Sequence, residues 1–141
     1  MLPVRRQIAD QIRDVVGSRD LDLTRPPGDD GLFGPGSATW LVHGDFTAMM
    51  AGGIASLLIQ MLHPAALAGV WDHSDFRRDM LGRLKRTAQF IAATTYGSTA
   101  EAERLIGRVR AIHDRVHGVL PDGVRYDAND PHLLTWVHVA E

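Results

Sequence analysis

Residues 46–64 read FTAMMAGGIASLLIQMLHP, and this stretch decides the fold class. At helical spacing Phe46, Met49, Met50, Gly53, Ile54, Leu57, Leu58 and Met61 fall on one stripe, the recurrence of an apolar helix face. The remaining positions, Thr47, Ala48, Ala51, Gly52, Ala55, Ser56 and Gln60, are small or uncharged, so another helix or a flat ligand can approach the backbone closely. A helix without a charged face predicts a buried, central element over Phe46–Leu62. Pro64 ends it, because proline lacks the N–H that the ladder needs and disfavours helical geometry at His63. A titratable side chain therefore stands at the end of the most apolar element.

Composition narrows what surrounds this helix. A chain of 141 residues, 45% of them apolar, suits one domain over 1–141 rather than two. The 15 Lys and Arg are balanced by 17 Asp and Glu, for a net charge of −2, which argues against a nucleic-acid partner. With no cysteine, a disulfide, a thiolate nucleophile and a thiolate metal ligand are all excluded, so a bound metal needs nitrogen or oxygen donors. The N-terminal MLPVRRQIADQIRDVV lacks the apolar core of a signal peptide, and a cytoplasmic location is expected. The run from Phe46 to Val70 is uncharged apart from His63, but Gln60, His63, Pro64 and the small-residue face favour a core helix over a transmembrane span.

Outward from the central stretch the pattern is helical throughout. Val4–Val16 reads as a first helix, and Arg19–Gly36, rich in Gly and Pro, as an irregular connection with Leu32 and Phe33 pinned against the core. Ser37 caps a short helix through Trp40 and His43, and Asp45 caps the central one. Further helices are expected over Ala65–Trp71, from about Phe76 to Tyr96, and from Thr99 to about His117, the last opened by a Ser98/Glu101 capping box and ended by Gly118. The stretch VLPDGVRYDAND is a turn-rich link, and Asp130-Pro131 opens a last helix. No strand with alternating pattern stands out. The expected class is all-α, a single domain of about six helices.

Three groups of residues carry candidate chemistry. Arg83, Arg86, Thr87 and Phe90 share one helical face. Either Arg83 pairs with Asp79 one turn earlier and Arg86 is solvated, or the face is a cationic, hydroxyl-bearing wall that holds an anion or a polar oxygen species. His113 falls on the apolar stripe formed by Ala102, Leu105, Ile106, Val109, Ile112 and Val116. It is either a hydrogen-bonded core residue or a metal ligand, with His117 one turn on as a second donor. His43, His63, His73 and His138 are dispersed and fix no coordination geometry. The His113-Asp114 pair, with His63 and a remote carboxylate, can also be arranged as a His/Asp metal hydrolase, and no Ser-His-Asp set has motif support.

The ordered set Gly31-Leu-Phe-Gly-Pro-Gly-Ser37, Trp40, Leu57–Pro64, Gly69-Val70, His73-Ser74-Asp75-Phe76, Arg83-Leu-Lys-Arg-Thr87, Ala111-Ile-His113, Tyr126, Asp130-Pro131 and Trp136-Val-His138 resembles a large bacterial family. That family includes the rubber oxygenase (latex clearing protein) catalytic domain and the fungal oxygenase of mycophenolic acid biosynthesis. The resemblance implies a helical haem b domain that uses dioxygen on a hydrophobic small-molecule substrate. It implies His113 as the iron ligand, Arg83, Arg86 and Thr87 as catalytic residues on the wall of the haem pocket, and His63 among the cofactor-binding residues. Rubber oxygenases have Lys where this chain has Arg86, so oxygen handling is expected to differ. Family members are about twice as long, and the chain is expected to be the N-terminal part of such a domain. The competing expectation is a non-catalytic helical scaffold that buries an open apolar face by self-association as a homo-oligomer.

Overall fold

The computed structural model describes residues 23–140, and the helix expected over Val4–Val16 lies outside them. The described residues form six α-helices, one 3-10 turn and a two-stranded sheet, so the class is all-α. They divide into two compact units. The first holds the loop up to Pro35 with Asp75–Leu105, and the second holds Gly36–Ser74 with the residues from Ile106 onward.

In the second unit, helix α1 (Ala38–Gly44) begins where Ser37 Oγ accepts from the Trp40 N–H at 3.2 Å. Helix α2 (Phe46–Gln60) begins where Asp45 Oδ1 accepts from the Ala48 N–H at 2.7 Å. Both are the caps the sequence predicts, because a short polar side chain satisfies an N–H that has no partner in the first turn. Helix α3 (Pro64–His73) has a less common cap, His63 Nδ1, which accepts from the Ala65 N–H at 3.2 Å.

In the first unit, the helix expected from about Phe76 starts later. The Asp75 carbonyl oxygen accepts from both the Arg78 and Asp79 N–H groups at 2.8 Å, giving a 3-10 turn over Asp75–Arg77. Asp79 then caps helix α4 (Met80–Tyr96) by accepting from the Gly82 N–H at 2.8 Å. Gly97 ends α4 as expected. Helix α5 (Thr99–His113) opens with Ser98 Oγ accepting from the Glu101 N–H at 3.2 Å, and is shared between the units at Leu105/Ile106.

The loop before α1 is held differently from the expectation. Leu32 and Phe33 are 38% and 46% exposed, so they do not pin it. Asp29 does, through bonds to Thr99, and Gly31 lies so close to the backbone of Gly97 that an added Cβ would sit 2.6 Å from its carbonyl oxygen. With φ at +73°, Gly31 also needs the left-handed region that glycine tolerates.

Helix α5 stops four residues before the expected end, tightened by N–H groups of Arg115 and Val116 that reach the Ile112 and His113 carbonyls at 3.1 and 2.8 Å. The next segment is a hairpin rather than a link: β1 (His117–Val119) pairs antiparallel with β2 (Arg125–Asp127), Gly118 opposite Tyr126. Pro121-Asp122-Gly123 makes the turn, with Gly123 at φ +88° and Asp122 Oδ1 accepting from the Val124 N–H at 3.0 Å. Gly118 therefore does not end a helix. Its missing side chain makes room for the Tyr126 ring, which an added Cβ would approach to 2.7–2.8 Å. Helix α6 (Pro131–Ala140) is capped by Asp130, as predicted.

Helix α2 forms where expected, but it is not buried. Ile54, Leu57 and Leu58 are 57%, 46% and 67% exposed, and the better-covered positions are Met49 of the apolar stripe with Ser56 and Gln60 of the other face. Its neighbours α1 and α6 are short, and they cover only part of a surface that is apolar nearly all round. The second unit's buried side chains are Ala66, Tyr126 and Leu133, while Ala93, Thr95, Ser98 and Ala102 are the first unit's. Among the described residues no single helix is long and apolar enough to cross a membrane; α1 and α2 would suffice together by length and composition, but they are bent by 103°.

Candidate functional site

His113 is the last residue of α5 and is half-buried. Burial lowers its pKa below the ordinary imidazole value, against the opposing fields of Asp114 and Asp127, so the ring is held neutral at pH 7. No described residue hydrogen-bonds the His113 ring. This is the protonation state and the open coordination that a nitrogen ligand requires. His117, expected one helical turn away, lies instead on β1 and is exposed, because α5 ends first.

The hairpin that follows α5 brings the charge of Asp127 to bear on the His113 ring. Tyr126 is 6% exposed, and its hydroxyl donates to Asp72 Oδ2 on α3 at 2.9 Å. Burial, then the bond to Asp72, raises the Tyr126 pKa, so the phenol stays protonated and remains a donor. His73 meets the same ring edge-on, with centroids 6.4 Å apart. Asp114 accepts from Asn129 Nδ2 at 2.7 Å, which ties the end of α5 to the exit of the hairpin.

The other histidines have distinct surroundings. His63 uses Nδ1 as a cap acceptor, which leaves Nε2 to carry the ring proton, and the ring packs on Trp136 at 5.6 Å between centroids. His43 Nδ1 is buried on α1 and has no hydrogen-bond partner among the described residues. Among those residues no three His, Asp or Glu side chains gather closely enough to hold a metal ion, so His113, Asp114 and His63 do not form the hydrolase set.

Arg83, Arg86 and Thr87 lie in the first unit, on α4. Arg83 and Thr87 are half-buried, whereas the Arg86 side chain is 61% exposed and pairs with Asp79 at 3.4 Å. Asp79 thus serves twice, one oxygen capping α4 at Gly82 and the other meeting Arg86 two turns along. A Cβ at Gly82 would meet the Asp79 carboxylate, so a larger residue there requires that side chain to shift.

A family profile described as the ER-bound oxygenase mpaB/B′ and rubber oxygenase catalytic domain matches residues 40–141. The chain belongs to this oxygenase family. No curated protein and no solved structure matches it. The match to the oxygenase catalytic domain includes α2 to α6, the hairpin, His63, the α4 arginines and His113, and it begins after the Gly31–Ser37 run. Within this oxygenase-family chain, residue-by-residue reading missed the partnership of Asp72 with Tyr126. The spacing of Pro-Asp-Gly between Val119 and Val124 was the available signal for the hairpin. Nothing in the sequence pattern joins Tyr126 to Asp72.

Proposed function

We propose that this oxygenase-family chain contributes to a haem b-dependent oxygenase that acts with dioxygen on a hydrophobic small molecule. The observation that carries the reading is His113, half-buried, neutral by desolvation and with no described residue bonded to its ring. Haem brings nitrogen donors of its own, so one protein imidazole, that of His113, would hold it and no protein cluster is needed. The donor chemistry therefore fits the group. When bound, haem supplies a redox-active iron for dioxygen chemistry, and the chain supplies the ligand, the charge and the shape around it.

In this reading His113 is the iron ligand. Arg83 and Thr87, both half-buried on α4, carry N–H and O–H groups of the kind that suits an oxygen species, the role the family resemblance implies for them. Arg86 is more exposed, and its guanidinium, which contacts Asp79 in this structure, would suit the charge of a propionate. His63 joins as a hydrogen-bond donor through Nε2, since Nδ1 is engaged at the start of α3. The test is a spectrophotometric titration of the purified chain with haem beside His113→Ala. A saturable Soret band that is lost or shifted in the variant is expected. A folded wild type that leaves haem in its free form overturns the reading.

One observation favours a second reading, a self-associating helical scaffold. Leu41, Leu58, Leu62 and Val139 are 77%, 67%, 74% and 79% exposed, large apolar side chains of the kind that helices bury against a partner. Colourless protein whose size grows with concentration would favour it over the oxygenase.

A further inference from the structure

The end of α5 is fixed by the hairpin that succeeds it. The His113 carbonyl accepts from the Val116 N–H at 2.8 Å, and the Val116 carbonyl accepts from the Ala128 N–H at 2.9 Å. The hairpin therefore leaves three residues after the imidazole and returns beside it, and Asp127 comes close enough for its charge to act on the ring. The hairpin is fastened in turn to α3. Tyr126 spans the gap: its ring rests where Gly118 has no side chain, and its hydroxyl bonds Asp72 at 2.9 Å. Gly69 of α3 faces the same place, where an added Cβ would lie 3.5 Å from Val116 and 3.9 Å from Tyr126. Asp72 is exposed, so its side chain fills no core volume. Its bond to the buried phenol is what it contributes here.

We propose that Tyr126 and Asp72 are positioning residues, a strut between α3 and the hairpin that sets the orientation and accessibility of the His113 imidazole. The part of this that concerns iron rests on the reading of His113 as the haem ligand. The part that concerns the imidazole does not. Loss of the phenol hydroxyl frees the hairpin from α3 and lets the end of α5 shift, while the ring of Tyr126→Phe still fills the space over Gly118. Asp72→Ala removes the same bond from the exposed side, where truncation leaves no buried cavity.

The experiment uses the full chain as Tyr126→Phe, Asp72→Ala and the double variant, with two readouts. In the haem-free protein the rate of His113 modification by diethyl pyrocarbonate is followed by peptide mass spectrometry, with the exposed His132 and His138 as internal controls. In parallel, haem affinity is taken from Soret titrations, with His113→Ala for reference. Each single variant is expected to raise the His113 rate at least threefold with His132 and His138 unchanged, and to weaken haem binding at least threefold. The double variant is expected to match either single, because one bond is lost in all three. An unchanged His113 rate overturns the strut, and so does an equal rise at all three histidines, which would mean general loosening. A selective rise at His113 in a chain that binds no haem supports the strut and removes the iron reading. Normal haem binding through His113 with no response in either variant removes the strut alone.

Discussion

Asp29 caps a helix that begins seventy residues later: its carboxylate accepts the Thr99 hydroxyl at 2.7 Å and the Thr99 N–H at 2.9 Å. The same carboxylate also takes the Gly31 N–H at 2.8 Å, so one side chain closes the loop and opens α5. These bonds, that of the Thr99 hydroxyl first, hold the Asp29 carboxyl below its ordinary value. The folded state thus prefers the ionised form. Its contribution is fully present above the unfolded pKa of about 3.9 and is lost as pH falls through the lower folded value. Asp29→Asn is expected to lower the thermal midpoint at pH 7 and to flatten its decline below pH about 4. Melts followed by circular dichroism across that window check both, and an unaltered slope removes the assignment.

Arg86 and Asp79 give a contrast on one helix. Their contact is exposed at both ends, so Arg86→Ala is expected to change stability by less than about 0.5 kcal/mol. Asp79→Ala also loses the cap on α4 and is expected to cost about 1 kcal/mol. Urea unfolding of the two variants measures the difference. A loss of haem binding in Arg86→Ala at unchanged stability would then belong to the pocket, not to the fold.

Gly118 and Gly107 should respond to alanine with opposite signs. A Cβ at Gly118 meets the Tyr126 ring at 2.7–2.8 Å, and overpacking of that kind costs about 1–3 kcal/mol. Gly107 is an exposed position within α5 with nothing near its missing Cβ, so Gly107→Ala is expected to stabilise by up to about 1 kcal/mol. Denaturant midpoints of the pair decide it, and destabilisation by both would mean that α5 is not helical at Gly107.

Leu58 on α2 is 67% exposed, so Leu58→Glu is expected to change stability within about 0.5 kcal/mol while reducing self-association at equal protein concentration. Light scattering coupled to size exclusion reads the species present. A Leu58→Glu chain that unfolds would show that this face is covered.

The family resemblance and the α-helical class were legible from residues alone, because both depend on local order. The residues that would hold haem were legible only as candidates. His113 shares its stripe with Val109, Ile112 and Val116, and periodicity does not distinguish a packed histidine from one with a free ring nitrogen. Only the folded surroundings make that distinction, since they leave the ring half-buried and unbonded by any described residue, and the charge of Asp127 arrives there on β2. The expected buried state of α2 failed for a related reason: an uncharged helix specifies that it prefers cover, not how much cover its neighbours provide.

By itself the sequence determined where most helices begin. Ser37, Asp45 and Asp130 each satisfy an N–H three residues on, and such a bond needs no other part of the chain. The tertiary structure alone decided where α5 stops, that a hairpin comes next, and that His63 rather than a hydroxyl caps α3 against the ring of Trp136. Tyr126 with Asp72, and Asp29 with Thr99, belong to that second group, being 54 and 70 residues apart. Such pairs form only when packing brings distant segments together, and no periodicity within a segment records its partner.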